Sequence, residues 1–127
     1  MLEILIVAIG GALGAVARYV VSNFVQNGHT FPWGTFSVNF IGCFMLGLLM
    51  YGIQYSLIPL PEEMRLLIGV GFIGALTTFS TFSFETMRLL EAGDYFGAGA
   101  NILLSLLVGL AAVYLGKLVV MQIHPAV

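Results

Sequence analysis

A chain of 127 residues that is 60% hydrophobic and only 8% charged lies far outside soluble globular domains, where about 25% of residues are charged. Its mean hydropathy of +1.06 marks an all-α integral membrane protein. At about 20 residues per spanning helix, the length holds about four helices, a single membrane domain over residues 1–127 with no room for a soluble one. The net charge of −2 comes without a basic patch, which argues against a nucleic-acid partner. Cys43 is the single cysteine, so no intrachain disulfide can form, and His29 and His124 fall in a loop and a tail, which argues against a histidine metal site.

The first helix is expected over about residues 2–25. Glu3 and the lack of Lys or Arg before Arg18 do not fit the basic start of a secretory signal, so this run reads as an uncleaved span. Gly10 and Gly14 stand four apart, as do Gly11 and Ala15, which makes a small-residue face for close helix packing. Arg18 near its end either snorkels to the interface or sits as a charge at a pore mouth. After a short polar loop, Trp33 reads as an interfacial anchor opening a second helix over about 33–55. Its strong polar residue is Asn39, whose amide at membrane depth either glues helices together or points at an anion.

Pro61, Glu62 and Glu63 read as the start of a third helix, about 62–90, because proline suits the first turn and carboxylates suit the positive end of the dipole. Inside it, five hydroxyls and a carboxylate fall within the nine residues from Thr77 to Glu85. The 13 residues from Met64 to Leu76 are too few to span, so this polar run also lies in the membrane. Bilayer interiors penalise unpaired polar groups, and Gly71 and Gly74 followed by tandem hydroxyl residues point to a break or unwinding in mid-membrane. Freed carbonyls there would suit a small cation such as Na+; freed amides and hydroxyl protons would suit an anion. Glu85 reads as a mouth residue or as the partner of Arg88 at i+3. The fourth helix is expected over about 95–121, with Gly97, Asn101, Ser105 and Gly109 forming a small and polar stripe.

An even number of helices puts both termini on one side. Arg65 and Lys117 then flank that side and Arg18 and Arg88 the other, two against two. Orientation follows Lys/Arg bias, so a balanced chain is free to insert both ways, which permits an antiparallel homodimer. No enzyme motif is present: no nucleophile elbow, zinc-binding His-Glu-x-x-His or phosphate loop. Neutral donors without matching carboxylates favour an anion pathway, with Asn39, Ser80, Thr81, Ser83 and Ser105 as candidates. The partly positive ring edges of Phe79 and Phe82 join them.

Three stretches then carry a resemblance: Gly10–Tyr19 (Gly-Gly-Ala-Leu-Gly-Ala-Val-Ala-Arg-Tyr), Gly34–Gly42 (Gly-Thr-Phe-Ser-Val-Asn-Phe-Ile-Gly) and Gly71–Glu85 with its Thr-Thr-Phe-Ser-Thr-Phe-Ser run. Over essentially its full length the chain resembles the Fluc (CrcB) family of fluoride channels. The resemblance implies a four-helix, dual-topology homodimer with two antiparallel pores in the cell membrane, through which fluoride leaves passively. It implies Phe79 and Phe82 as pore phenylalanines, Asn39 as the amide near them, and Ser80, Thr81 and Ser83 as the hydroxyl track. It implies Glu85 and Ser105 as pore-associated, Arg18 near the vestibule, and the Gly74 and Thr77 carbonyls as ligands of a structural Na+ on the dimer axis. The alternative is a proton-coupled small multidrug exporter, also a short four-helix dual-topology chain. It needs an acid in mid-membrane, and the first helix has none there. A third class, a structural subunit without catalysis or transport, would need no hydroxyl track.

Overall fold

Apolar runs of this length leave the backbone no partner in a bilayer except itself, so each run closes into a helix. The computed structural model describes residues 1–123; His124 lies outside the described residues. Four segments are long and apolar enough to cross a membrane: Leu2–Gln26, Trp33–Gln54, Glu62–Glu91 and Tyr95–Ile123. The protein is a multi-pass, all-helical membrane protein.

The first two spans are the single helices α1 (Leu2–Gln26) and α2 (Trp33–Gln54). The third is composite: α3 (Glu62–Arg65), a π-helical stretch Leu66–Ile73, α4 (Gly74–Leu76) and, beyond a break, α5 (Phe79–Glu91). The last is α6 (Tyr95–Ile123). The ends are capped by the residues that turns demand. Gln26 sends its side-chain amide to the carbonyls of His29 and Phe31 and takes the Gly34 amide on Oε1 at 3.0 Å, which serves a first-turn donor of α2 that has no helical partner. Gly93, at φ +77°, makes the left-handed turn that follows α5. Asp94 then caps α6 by accepting from Gly97 N–H at 2.8 Å.

Two close-packed seams hold the bundle. In one, α1 lies against the π-helical stretch and α4. A Cβ at Gly10 would run into the Leu67 carbonyl and one at Gly14 into the Phe72 carbonyl, so the backbones touch where side chains normally stand. In the other, α2 lies along α6, with Gly47 against Val113 and Gly116 against Leu48. Without a hydrophobic force between helices in lipid, this close packing is a main source of association.

The mid-membrane break falls at Thr77 (φ −85°, ψ 157°) and Thr78 (φ −152°, ψ 116°), both extended. Of the glycines and tandem hydroxyls expected to make it, the hydroxyl pair does so and the glycines do something else. Gly71 packs on Gly10, and Gly74 stays helical at φ −60°. Threonine is poorly placed in a helix interior because its hydroxyl competes with the backbone, and two in succession supply the interruption.

Candidate functional site

A break in a helix strands amides on one side and carbonyls on the other. In the membrane each needs a substitute partner. Asn39, on α2, supplies two at once. Its Oδ1 accepts from Thr78 N–H at 2.7 Å, and its Nδ2 donates to the Thr78 carbonyl at 3.1 Å. The pairing fixes which way the amide faces, since one end must accept and the other donate. It also leaves one Nδ2–H uncommitted.

Thr78 caps α5. Its Oγ1 accepts from Thr81 N–H at 3.2 Å, donates to Thr81 Oγ1 at 2.9 Å and lies 3.2 Å from Ser80 Oγ. Three hydroxyls thus gather at the N-terminal end of a 13-residue helix, where amides point outward and the dipole is positive. The other hydroxyls of the run bond back along their own helix. Ser83 Oγ donates to the Phe79 carbonyl at 2.9 Å, Thr86 Oγ1 to the Phe82 carbonyl at 2.8 Å, and Thr77 Oγ1 to the Ile73 carbonyl at 3.3 Å.

Beside the break opens a largely apolar cavity of about 620 Å³. Asn39, Gly74, Thr77, Thr78, Phe79, Phe82 and Ser105 all line it. Phe79 and Phe82 stand with ring centroids 5.6 Å apart and planes tilted by 40°. Phe82 is half-buried, whereas Phe79 is 80% exposed. Ser80, Thr81 and Ser83 do not line the cavity.

Glu85 lies elsewhere. A helix rises about 1.5 Å per residue, which carries it about 9 Å along α5 from Phe79. There it lines a second cavity of about 400 Å³ with Gln26, His29, Thr30 and Arg88. The expected pairing with Arg88 is not made. Glu85 Oε1 instead accepts from Thr35 Oγ1 on α2 at 2.9 Å, while Oε2 is buried without a partner among the described residues. The one ion pair among those residues, Glu62 with Arg65, is at the opposite end of the span. Arg18 lines neither cavity. It reaches from α1 to the Thr77 carbonyl, with Nη1 at 3.4 Å.

Asn101 and Thr86 form a link that the sequence left unassigned. Asn101, 2% exposed, donates from Nδ2 to Thr86 Oγ1 at 2.9 Å, and its Oδ1 accepts from Ser105 Oγ at 3.4 Å. This chain of bonds ties the cavity-lining Ser105 to the turn of α5 that carries Phe82. The stripe Gly97-Asn101-Ser105 signalled a polar face on α6; its partner on α5 carried no signal of its own. Thr35, four residues before Asn39 on the same face of α2, was equally legible as a polar position and equally silent about Glu85.

For a cation, the available ligands are backbone oxygens. Among the described residues no three His, Cys, Asp or Glu side chains come together. The Gly74 carbonyl accepts from the Thr77 hydroxyl at 3.4 Å, and the Thr77 carbonyl from Arg18, also at 3.4 Å. Both are long for hydrogen bonds. Neutral carbonyls without a carboxylate suit a hard monovalent cation better than a divalent one.

The family described as CrcB-like protein, Camphor Resistance (CrcB), matches residues 5–117. A relative in Geobacter metallireducens, named fluoride-specific ion channel FluC, is 48% identical over 91% of this chain and 94% of its own length. Proteins of the same name in Magnetococcus marinus (50% identical, 93% of this chain and 97% of that protein) and Methanocaldococcus jannaschii (45%, 95% and 96%) are similarly close. With its four spans, its broken third helix and these relatives over nearly the whole length, the chain belongs to the CrcB family.

Proposed function

We propose that this protein is a passive, fluoride-selective channel through which fluoride leaves the cytoplasm. It works as an antiparallel homodimer with two pores and a structural Na+ on the dimer axis. The relatives are named for fluoride conduction, and the site has the chemistry for it. The observation that carries the reading is the meeting of Phe79, Phe82, Asn39 and Ser105 on one cavity at a helix break. A small hard anion gives up water only for close donors. Here the free Nδ2–H of Asn39, the ring edges of Phe79 and Phe82, and the Ser105 hydroxyl once it turns from Asn101 supply them at the cavity, while Ser80, Thr81 and Ser83, which lie off it, continue the track along α5. Weak neutral donors let the ion enter and also let it leave, which conduction requires.

Glu85 then marks the mouth of the pathway, with Thr35 donating to its carboxyl, and Arg18 draws anions toward the break. The cavity is open and Phe79 is 80% exposed in a single chain. A second, inverted copy would cover both, and the balanced Arg and Lys positions favour insertion in both orientations. Bound Na+ would supply positive charge and cross-link the carbonyls of Gly74 and Thr77 from two copies. With no acid pair to carry protons, flow follows the fluoride gradient alone.

The test replaces each phenylalanine. Phe79→Ile and Phe82→Ile remove the ring edges and keep an apolar side chain. Each variant should elute and melt as the unaltered protein does while fluoride efflux from liposomes falls at least tenfold. Unchanged efflux in both would overturn the pathway.

A further inference from the structure

In an unbroken α-helix the Thr78 amide would donate to the Gly74 carbonyl and the Thr81 amide to the Thr77 carbonyl. Both amides are taken elsewhere. The Thr78 N–H goes to Asn39 Oδ1 at 2.7 Å, and the Thr81 N–H goes to the Thr78 hydroxyl at 3.2 Å. The two carbonyls stranded by these diversions are those of Gly74 and Thr77. What they receive in exchange is long and weak, at 3.4 Å in each case, so each keeps lone-pair capacity.

We infer that Thr78, with Asn39, is a positioning residue for the Na+ site: the two side chains capture the amides that would otherwise occupy the Gly74 and Thr77 carbonyls. The inference rests on the Na+ of the proposed channel and adds the residues that keep its ligands free. Thr78 is suited to the task. It is 8% exposed, and its hydroxyl is held by Thr81 Oγ1 at 2.9 Å as well as by the amide it caps. Its backbone is clamped at both N–H and C=O by Asn39. Remove the hydroxyl, and the Thr81 amide loses the acceptor that caps it; the one an unbroken helix would give it is the Thr77 carbonyl. Closing that bond would withdraw a ligand from the cation. Valine at 78 keeps the shape and loses the acceptor. Serine and asparagine keep an acceptor of the kind that caps helices.

The full-length protein is purified in choline buffer and titrated with NaCl, and the rise in melting temperature is read as an apparent Na+ affinity. Fluoride efflux from liposomes is read in parallel. Thr78→Ser and Thr78→Asn should bind Na+ within threefold of the unaltered protein, and Thr78→Val and Thr78→Ala at least tenfold more weakly. Equal affinity in all five proteins overturns the inference. So does an unaltered protein that responds to NaCl no differently from choline chloride. Neither result touches the fluoride reading, which stands or falls on efflux; efflux missing from a protein whose Na+ response depends on Thr78 would remove the channel and keep the positioning role. If the valine and alanine variants do not fold, the unaltered protein decides, with 13C-labelled carbonyls at glycine and threonine. The Gly74 and Thr77 resonances should move together as Na+ is added, and resonances that stay fixed overturn the inference.

Discussion

Ahead of the break, residues 62–76 make no side-chain hydrogen bond to another helix among the described residues; they dock on α1 where Gly10 and Gly14 let backbone meet backbone. Beyond it, Thr78, Glu85 and Thr86 each bond to a residue of α2 or α6. One half of the span is positioned by shape and the other by polar pairing. A seam where backbone meets backbone leaves few side chains to rearrange and gives a stiff platform. The polar half spends its bonds on orientation, so that groups of α2, α5 and α6 face one cavity. The third span is broken where these two ways of holding a helix meet.

Substitutions that attack one half at a time sharpen the contrast. The largest effect belongs to the close-packed seam. Gly14→Val would drive a branched side chain into the Phe72 backbone, which cannot rotate away. Overpacking of this kind costs about 1–3 kcal/mol and sometimes more, and the expected result is a protein that no longer elutes as a single folded species in mild detergent. A variant with unaltered elution and melting would show that the seam yields. On the polar side the expected loss is smaller. Asn101→Ala deletes the bonds to Thr86 and Ser105 without adding bulk to a buried position. Interhelical hydrogen bonds in membranes average about 0.6 kcal/mol, with a maximum near 1.7. A melting point lower by a few degrees, with fluoride efflux reduced several-fold because Ser105 and the Phe82 turn lose their tie, is the outcome to look for. The least effect should follow Glu62→Gln, which removes the exposed ion pair to Arg65 outside both regions. Such pairs contribute little, and neither melting nor efflux should change measurably.

Much of the architecture was legible because the bilayer leaves few options. Four apolar runs became four spans, and a polar run too deep to be a loop became a break. Its cause was half legible, in the tandem hydroxyls. Gly71 and Gly74 with the hydroxyls after them looked like the interruption; packing on α1 uses Gly71, Gly74 stays helical, and the hydroxyl pair Thr77 and Thr78 carries the extended backbone. The π-helical stretch Leu66–Ile73 left no mark in the sequence, since a one-residue change in hydrogen-bond spacing needs no special side chain. The candidate residues were found as polar exceptions in apolar runs, and several of them share one cavity. Their partners were not found, because Thr35 with Glu85 and Asn39 with Thr78 are far apart in the chain and periodicity speaks only within a helix. Glu85 with Arg88 was the pair that local spacing suggested, and tertiary packing replaced it with Thr35.

The central claim is selective passive passage of fluoride, and one measurement meets it directly. The unaltered protein is reconstituted into liposomes loaded with potassium fluoride, and a matched set is loaded with potassium chloride. An ionophore carries the K+, and electrodes read the anions released. Rapid fluoride release with chloride retained is the predicted result. Folded protein that releases neither anion, or both alike, would contradict the account.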